Sequence, residues 1–291
     1  MKHRSGFVNI LGNPNVGKST LMNSLVGEKL SIITSKSQTT RHRIMGIVSG
    51  DDFQIVYSDT PGILNPKYLL QESMMKAVSG ALSDADLIIY VTDVIESVNK
   101  NSQYLRKILD AEVEKIIVIN KIDLSSGAKL DRLYEFWEGM VPGTQIVPIS
   151  ALNNFNVDNL LKMILEKLPE GAEYFPKDQL TDRHERFFVT EIIREKILVH
   201  YQKEIPYSVE IEIESYKEER SLTSIRAIIH VARESQKGII IGHRGLMLKK
   251  VGSEARKDIE EFIGRKVFLE LFVKVRKEWR DDKRSLRMFG Y

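Results

Sequence analysis

Gly12-Asn13-Pro14-Asn15-Val16-Gly17-Lys18-Ser19 is the stretch that decides how this chain is read. Phe7-Val8-Asn9-Ile10-Leu11 precedes it and reads as a buried strand. Leu21-Met22-Asn23-Ser24-Leu25-Val26 follows and carries a helix onward. Glycine lets the backbone curl tightly and turn its N–H groups toward a phosphate, and the N-terminus of the next helix adds its positive end. Lys18 is spaced to reach the β- and γ-phosphates, and the Ser19 hydroxyl to ligate magnesium. The expected nucleotide contacts run from Gly12 through Thr20. A bare Gly/Pro turn would not need Lys-Ser in this register behind a strand.

Three further motifs come in GTPase order. Asp59-Thr60-Pro61-Gly62-Ile63 ends the strand-like run Phe53–Ser58. There Asp59 can hold magnesium through a water while facing Ser19. Gly62, with no side chain, lets its N–H approach a γ-phosphate. Upstream, Ser37-Gln38-Thr39-Thr40-Arg41 lies in a polar segment. Thr40 is the expected third magnesium ligand, with Thr39 the alternative, and the segment would order with triphosphate and relax after hydrolysis. Asn120-Lys121-Ile122-Asp123 ends the run Lys115–Ile119, and Ser150-Ala151 follows Ile146–Ile149. The Asp123 carboxylate can accept from guanine N1–H and the 2-amino group. Adenine offers neither donor, a discrimination on the order of 10⁴-fold. Asn120 and the stem of Lys121 would position the base, and the Ser150-Ala151 backbone would meet its oxygen. Lys18, Thr40 and Gly62 are thus the residues expected to serve phosphate chemistry directly.

Many small GTPases carry a water-orienting glutamine just after Asp-x-x-Gly. Here that position is Ile63, so another group, an ion or a partner must help. A slow intrinsic rate follows, on the order of 10⁻⁴ to 10⁻² s⁻¹. Asn15 is either a ligand for a monovalent cation such as potassium or a structural hydrogen-bonder within the loop.

The chain has 291 residues, 42% hydrophobic and none of them Cys. That length allows two domains with packed cores and excludes disulfides and thiolate metal sites, as expected of a cytoplasmic protein. No apolar run approaches a membrane span, and Met1-Lys2-His3-Arg4 leads straight into the first strand without the pattern of a signal peptide. Net charge is +3, yet Gly264–Tyr291 holds nine Lys/Arg against four Asp/Glu. This asymmetry points to an anionic partner at the C-terminal end.

The first half alternates strands and helices, including a hairpin at Ile44–Val48 and Phe53 onward, a strand over Asp86–Val91, and a last helix over Val157–Leu168 capped near Asn156 or Asn153. Alternation of this kind gives a mostly parallel α/β sheet. Residues 1–170 are expected to form this P-loop GTPase domain, 171–182 a linker, and 183–291 a second, smaller α+β domain. In the latter, Val189, Ile193 and Ile197 mark a helix face that Pro206 would stop. Tyr207–Glu214, Ile225–Val231 and Val267–Val275 alternate as strands with one wet face. Ile241-Gly242-His243-Arg244-Gly245 is a Gly-x-x-Gly turn that opens a helix, with Ile240, Ile241, Leu246 and Leu248 placed for an apolar groove. This arrangement matches the K-homology pattern of the second type, which clamps about four nucleotides of single-stranded RNA. Candidate RNA contacts are Ile241, Gly242, His243, Arg244, Gly245, Lys249, Arg256, Lys274 and Arg276. Aromatic residues interleaved in the tail can stack on bases or belong to the core, with Phe272 the better core candidate and Trp279 open. A membrane surface is the third partner its charge could meet.

These residues together resemble the Era GTPases, across nearly the whole chain. The resemblance rests on the phosphate loop, Gln38-Thr39-Thr40-Arg41, Asp59-Thr60-Pro61-Gly62 and Ile241-Gly242-x-x-Gly245. Glu191–Lys196 and Leu269–Val275 contribute as well. It implies a bacterial, magnesium-dependent GTPase that binds small-subunit (16S) ribosomal RNA near its 3′ end and assists 30S assembly. It also implies a monomer with partial association with the inner membrane face, and makes a hydrophobic residue at Ile63 ordinary. Three mechanisms stay open: a switch in which GTP controls RNA binding, a constitutive RNA binder on a GTPase platform, and a signalling GTPase whose second domain meets a protein or membrane.

Overall fold

The computed structural model describes residues 3–97 and 102–291. Two compact units divide it, one of residues 1–66 and 73–182, the other of 67–72 and 183–291. In the first, the order is β1 (Arg4–Gly12), α1 (Lys18–Val26), β2 (Ile44–Ser49), β3 (Phe53–Asp59), α2 (Leu69–Ser83, of which residues 73–83 belong to this unit), β4 (Leu87–Asp93), α3 (Ser102–Leu109), β5 (Glu114–Asn120), α4 (Gly127–Met140), β6 (Gln145–Pro148) and α5 (Val157–Lys167). The sheet runs β2-β3-β1-β4-β5-β6. β2 is antiparallel, in the hairpin with β3, and the other described pairings are parallel. Every residue of β4 is buried, which is why the strand reads as an unbroken apolar run: helices cover both faces.

From β1 the chain passes to β3 on one side and to β4 on the other. A crevice outside the carboxyl ends of parallel strands opens at such a reversal. Pairing Ile10 with Asp59 and Asp93 with Asn120 brings the polar strand ends to one rim. The segment 171–182 lies on this unit: Gly171 N donates to His3 O (3.1 Å), Leu180 O accepts from Ile47 N (2.8 Å), and Gln54 Oε1 accepts from Tyr174 N (2.7 Å) and Phe175 N (3.0 Å).

The second unit holds α6 (Glu185–His200), α7 (Ile205–Ser208), β7 (Val209–Glu218), β8 (Leu222–Val231), α8 (Glu234–Ile241), α9 (Leu246–Ile263), β9 (Lys266–Val275) and α10 (Lys283–Met288). β7 is antiparallel to β8, and β9 parallel to it. Val189, Ile193 and Ile197 pack with Ile211, Ile229, Val251 and Val267, and Leu269, Leu271, Val273 and Val275 complete that face.

Three expectations are corrected here. Pro206 does not stop α6, which ends at His200; it sits in the first turn of α7, where a missing N–H costs no hydrogen bond. Tyr207 and Ser208 therefore belong to that turn, and β7 starts at Val209. The aromatic assignment is reversed. Phe272 is 43% exposed, with the Arg226 guanidinium over its ring, whereas Trp279 is fully buried.

The C-terminal segment explains why. Trp279 Nε1 donates to Ser208 O (3.0 Å), Phe289 meets the indole edge-on (5.5 Å), and Tyr291 Oη donates to Glu210 Oε2 (2.7 Å). Asp282 caps α10 by accepting from Ser285 N (2.9 Å). One end of the expected wet face, Glu210 and His230, is thereby buried. Trp279→Ala should destabilise the second unit by about 3–5 kcal/mol, and Phe272→Ala by no more than about 1 kcal/mol, in urea unfolding followed by circular dichroism.

Candidate functional site

At the rim of the first sheet, Gly12 has φ +150°, and a Cβ on it would lie 2.2 Å from Val91 O. Gly17 caps α1 in the left-handed conformation, where a Cβ would lie 2.2 Å from Asn120 Nδ2. No other residue fits either position. The space left by Gly17 is filled by the Asn120 side chain. Asn120 Nδ2 donates to Val16 O (2.9 Å), and its Oδ1 accepts from Lys121 N (2.8 Å) and Ala151 N (3.0 Å). One buried amide thus joins the phosphate loop, the Asn-Lys-x-Asp loop and the Ser-Ala loop.

Lys18 is buried, with Nζ donating to Asn13 O (2.9 Å). Burial pulls its pKa down to about 8, against the opposing pull of Asp59 and Glu96. Ser19 Oγ donates to Asp59 Oδ2 (2.6 Å) and lies 2.9 Å from Thr40 Oγ1, which also donates to Asp59 Oδ2 (3.2 Å). The three expected magnesium residues therefore meet. Thr39 instead donates to Lys36 O (2.6 Å) and pairs with Thr34 (2.7 Å). Burial raises the Asp59 pKa, with Lys18 and the hydroxyls of Ser19, Ser31 and Thr40 opposing. Asp59 Oδ1 is buried without a hydrogen-bond partner among the described residues. A set of hard oxygen donors, two hydroxyls gathered on one buried carboxylate, suits Mg²⁺. Among the described residues no cluster of three His, Cys, Asp or Glu offers a different metal site.

Gly62 packs on the phosphate loop so closely that a Cβ would meet Pro14 Cα and N at 2.7 Å. Ile63 N donates to Gly12 O (3.1 Å), while the Ile63 side chain sits in the core. Thr60 is buried, its hydroxyl donating to Ile10 O (2.7 Å). Thr60 and Ile63 thus serve the frame with their side chains. A cavity of ≈ 380 Å³ opens against Pro14, Gly17, Lys18, Ser19, Thr40 and Gly62. At the base end, Asp123 is exposed, and its Oδ1 accepts from Ser150 Oγ (2.6 Å). Lys121 Nζ donates to Asn15 O (2.5 Å) and pairs with Asp93 Oδ2 (2.5 Å). Asn15 Nδ2 donates to Ser35 O (3.0 Å), a bond to the neighbouring segment and not within its own loop.

Sequence reasoning missed Asp93 and Glu96. Asp93 fixes Lys121, and Glu96 Oε2 accepts from Asn13 Nδ2 (2.9 Å). Asp93 carried a readable signal, since it ends an apolar strand just as Asp59 and Asn120 do. Glu96 carried none.

In the second unit Gly242 (φ 71°) closes α8 and Gly245 (φ 76°) opens α9, with His243 and Arg244 exposed between them. Ile240 is core and Leu246 is exposed. The apolar groove instead lies between α9 and β9, a cavity of ≈ 450 Å³ floored by Leu248, Leu269 and Leu271 and flanked by Lys249 and Arg256. Gly252 keeps it open, since a Cβ there would touch Leu271 at 3.3 Å. Lys274 and Arg276, expected as RNA contacts, do not join this groove. Lys274 points to the other sheet face and pairs with Glu214 (3.1 Å), and Arg276 donates to Ser285 Oγ (2.6 Å) under the C-terminal segment.

Known proteins share this arrangement. Residues 7–121 match the family model of the 50S ribosome-binding GTPases and residues 204–280 that of the KH domain. A GTPase Era from Clostridium kluyveri is 44% identical over 290 residues, covering 99% of each chain. A crystal structure of Era with MgGDPNP and nucleotides 1506–1542 of 16S ribosomal RNA superposes with a TM-score of 0.95 at 39% identity, covering 99% of each chain. A tyrosine-to-alanine variant of Aquifex aeolicus Era bound to GDP·AlF4⁻ does so with a TM-score of 0.95 at 40% identity and 99% coverage of each.

Proposed function

The chain belongs to the Era GTPase family, and from that premise we propose that it binds and hydrolyses GTP with Mg²⁺ and binds small-subunit ribosomal RNA near its 3′ end in support of 30S assembly. The carrying observation is the Asn120 amide, which sets a phosphate loop and a guanine-reading carboxylate at fixed separation. Ser150 holds one oxygen of Asp123, orienting the carboxylate toward a base edge. Lys18 supplies buried positive charge to the phosphates, and Gly62 brings a bare backbone beside the phosphate loop. Ser19 and Thr40 would hold Mg²⁺, with Asp59 behind them. Bound there, the ion would supply positive charge to offset that of the phosphates.

No polar side chain stands where Ile63 is buried, so the intrinsic rate is slow, on the order of 10⁻⁴ to 10⁻² s⁻¹. Asn15 is the candidate ligand for a potassium ion that would help, and equal GTP turnover in potassium and sodium removes that idea. The nucleotide reading is tested by competition: GTP should displace a fluorescent GDP analogue at concentrations about 10⁴-fold below ATP. Asp123→Ala should abolish the preference, and ATP binding as tight as GTP would overturn the reading.

For RNA, the related Era complex contains nucleotides 1506–1542 of 16S ribosomal RNA, and the groove beside Gly245 offers an apolar floor between two cations. Such a surface takes unstacked bases on its floor and phosphates on its rim. The reading implies a cytoplasmic monomer. Its exposed Lys277, Lys283, Arg284 and Arg287 are where a peripheral contact with an anionic membrane face would form. Affinity for a 16S 3′-end fragment should fall with salt, and Lys249→Ala with Arg256→Ala should flatten the log–log slope by about 0.7 for each phosphate no longer neutralised. Lys274→Ala should leave the slope unchanged. A GTP-controlled switch requires affinity to differ between the GTP-analogue and GDP states, and linkage then requires RNA to change nucleotide affinity by the same factor; identical affinities favour a constitutive RNA binder.

A further inference from the structure

Two buried oxygens of the cation site have no hydrogen-bond partner among the described residues: Asp59 Oδ1 and the Ser31 hydroxyl. Asp59 is wholly buried and Ser31 only 1% exposed, so water does not serve them freely. The two side chains are neighbours. The Ser31 hydroxyl lies within interaction range of the Asp59 carboxylate, although the two are not in bonding geometry. A hydroxyl reorients about a single bond, so forming that bond requires no movement of the backbone.

The backbone under Ser31 is held in place from outside its own segment. Asn23 lies on α1 one turn beyond Ser19. Its side chain grips Ser31 from both sides: Ser31 N donates to Asn23 Oδ1 (2.9 Å), and Asn23 Nδ2 donates to Ser31 O (2.7 Å). Leu30 N adds a third bond to the same oxygen (3.1 Å). Leu30 and Ile32, on either side, are buried. The segment that carries Thr40 at its far end is therefore fixed at its root to the helix that carries Ser19.

We propose that Ser31 is a positioning residue of the cation site: its hydroxyl donates to Asp59 Oδ1, which leaves Oδ2 facing Ser19, Thr40 and the cation, and the Asn23 amide delivers it there. This rests on the Mg²⁺–nucleotide reading above. A hydrogen bond to a buried carboxylate is charge-assisted, and one made to Oδ1 fixes the plane of the carboxyl group and so the direction in which Oδ2 points. Ser31 does not line the cavity beside the phosphate loop, and acts only through Asp59.

The test is the dissociation of a preloaded fluorescent GDP analogue from the full-length protein, measured against free Mg²⁺. The parent should retain nucleotide longer as Mg²⁺ rises. Ser31→Ala removes one atom from a buried site and should shift the Mg²⁺ midpoint upward by about tenfold, the loss of one hydrogen bond to a charged group, while the rate in EDTA stays at the parent's value. Asn23→Ala should shift the midpoint the same way. An unshifted midpoint in Ser31→Ala overturns the proposal, and so does an equal change with and without Mg²⁺, which would mark simple packing. A parent with no Mg²⁺ dependence would instead remove the cation reading itself, and this inference with it.

Discussion

The nucleotide site depends on one side-chain amide. Asn120 directs its donor to the phosphate loop and its acceptor to two other loops, and it does so in space that exists only because Gly17 has no Cβ. Three loops that come from β1, β5 and β6 would otherwise be free to drift at the open end of the sheet. Loops are ordinarily the mobile parts of a domain, and a site assembled from loops gains geometry only when something rigid joins them. Here the join is buried, so its hydrogen bonds do not compete with water.

Around that join, burial sets the chemistry. Lys18 and Asp59 are both out of water, and burial pushes each toward its neutral form. Each offsets the other's desolvation, and a triphosphate with Mg²⁺ would supply the remaining counter-charge. The cluster is thus poised: its hydroxyls already point at Asp59 Oδ2, and the other carboxylate oxygen is unpaired among the described residues. The second unit uses a different device. Its groove combines an apolar floor with cations at the rim, which is how a surface recognises unstacked bases on a charged backbone.

Much of this was legible in the sequence because the decisive features are local. The phosphate loop, Asp59, Asn120–Asp123 and Ser150–Ala151 each sit at the end of an apolar run, and parallel strand ends converge by topology alone. Only in three dimensions does Thr40, and not Thr39, lie beside Ser19 and Asp59. Two of the departures share a cause. Trp279 and the buried end of the wet face are decided by an irregular C-terminal segment folding back over the sheet, and no periodicity encodes that return. Lys274 lies away from the groove for a different reason. The alternation that puts Leu269 and Leu271 on the groove side puts Lys274 on the other side, a placement that strand parity already carried. Asn23 and Ser31 gave no signal, since their roles exist only through contacts across α1, the following segment and β3.

The most direct measurement is the equilibrium affinity for GDP of Asn120→Ala against the parent, with circular dichroism to verify the fold. Losing three hydrogen bonds worth about 1 kcal/mol each should weaken binding by about 100-fold while the secondary structure is kept. An affinity equal to the parent's would show that the loops hold their positions without the amide, and would contradict the central role given to Asn120.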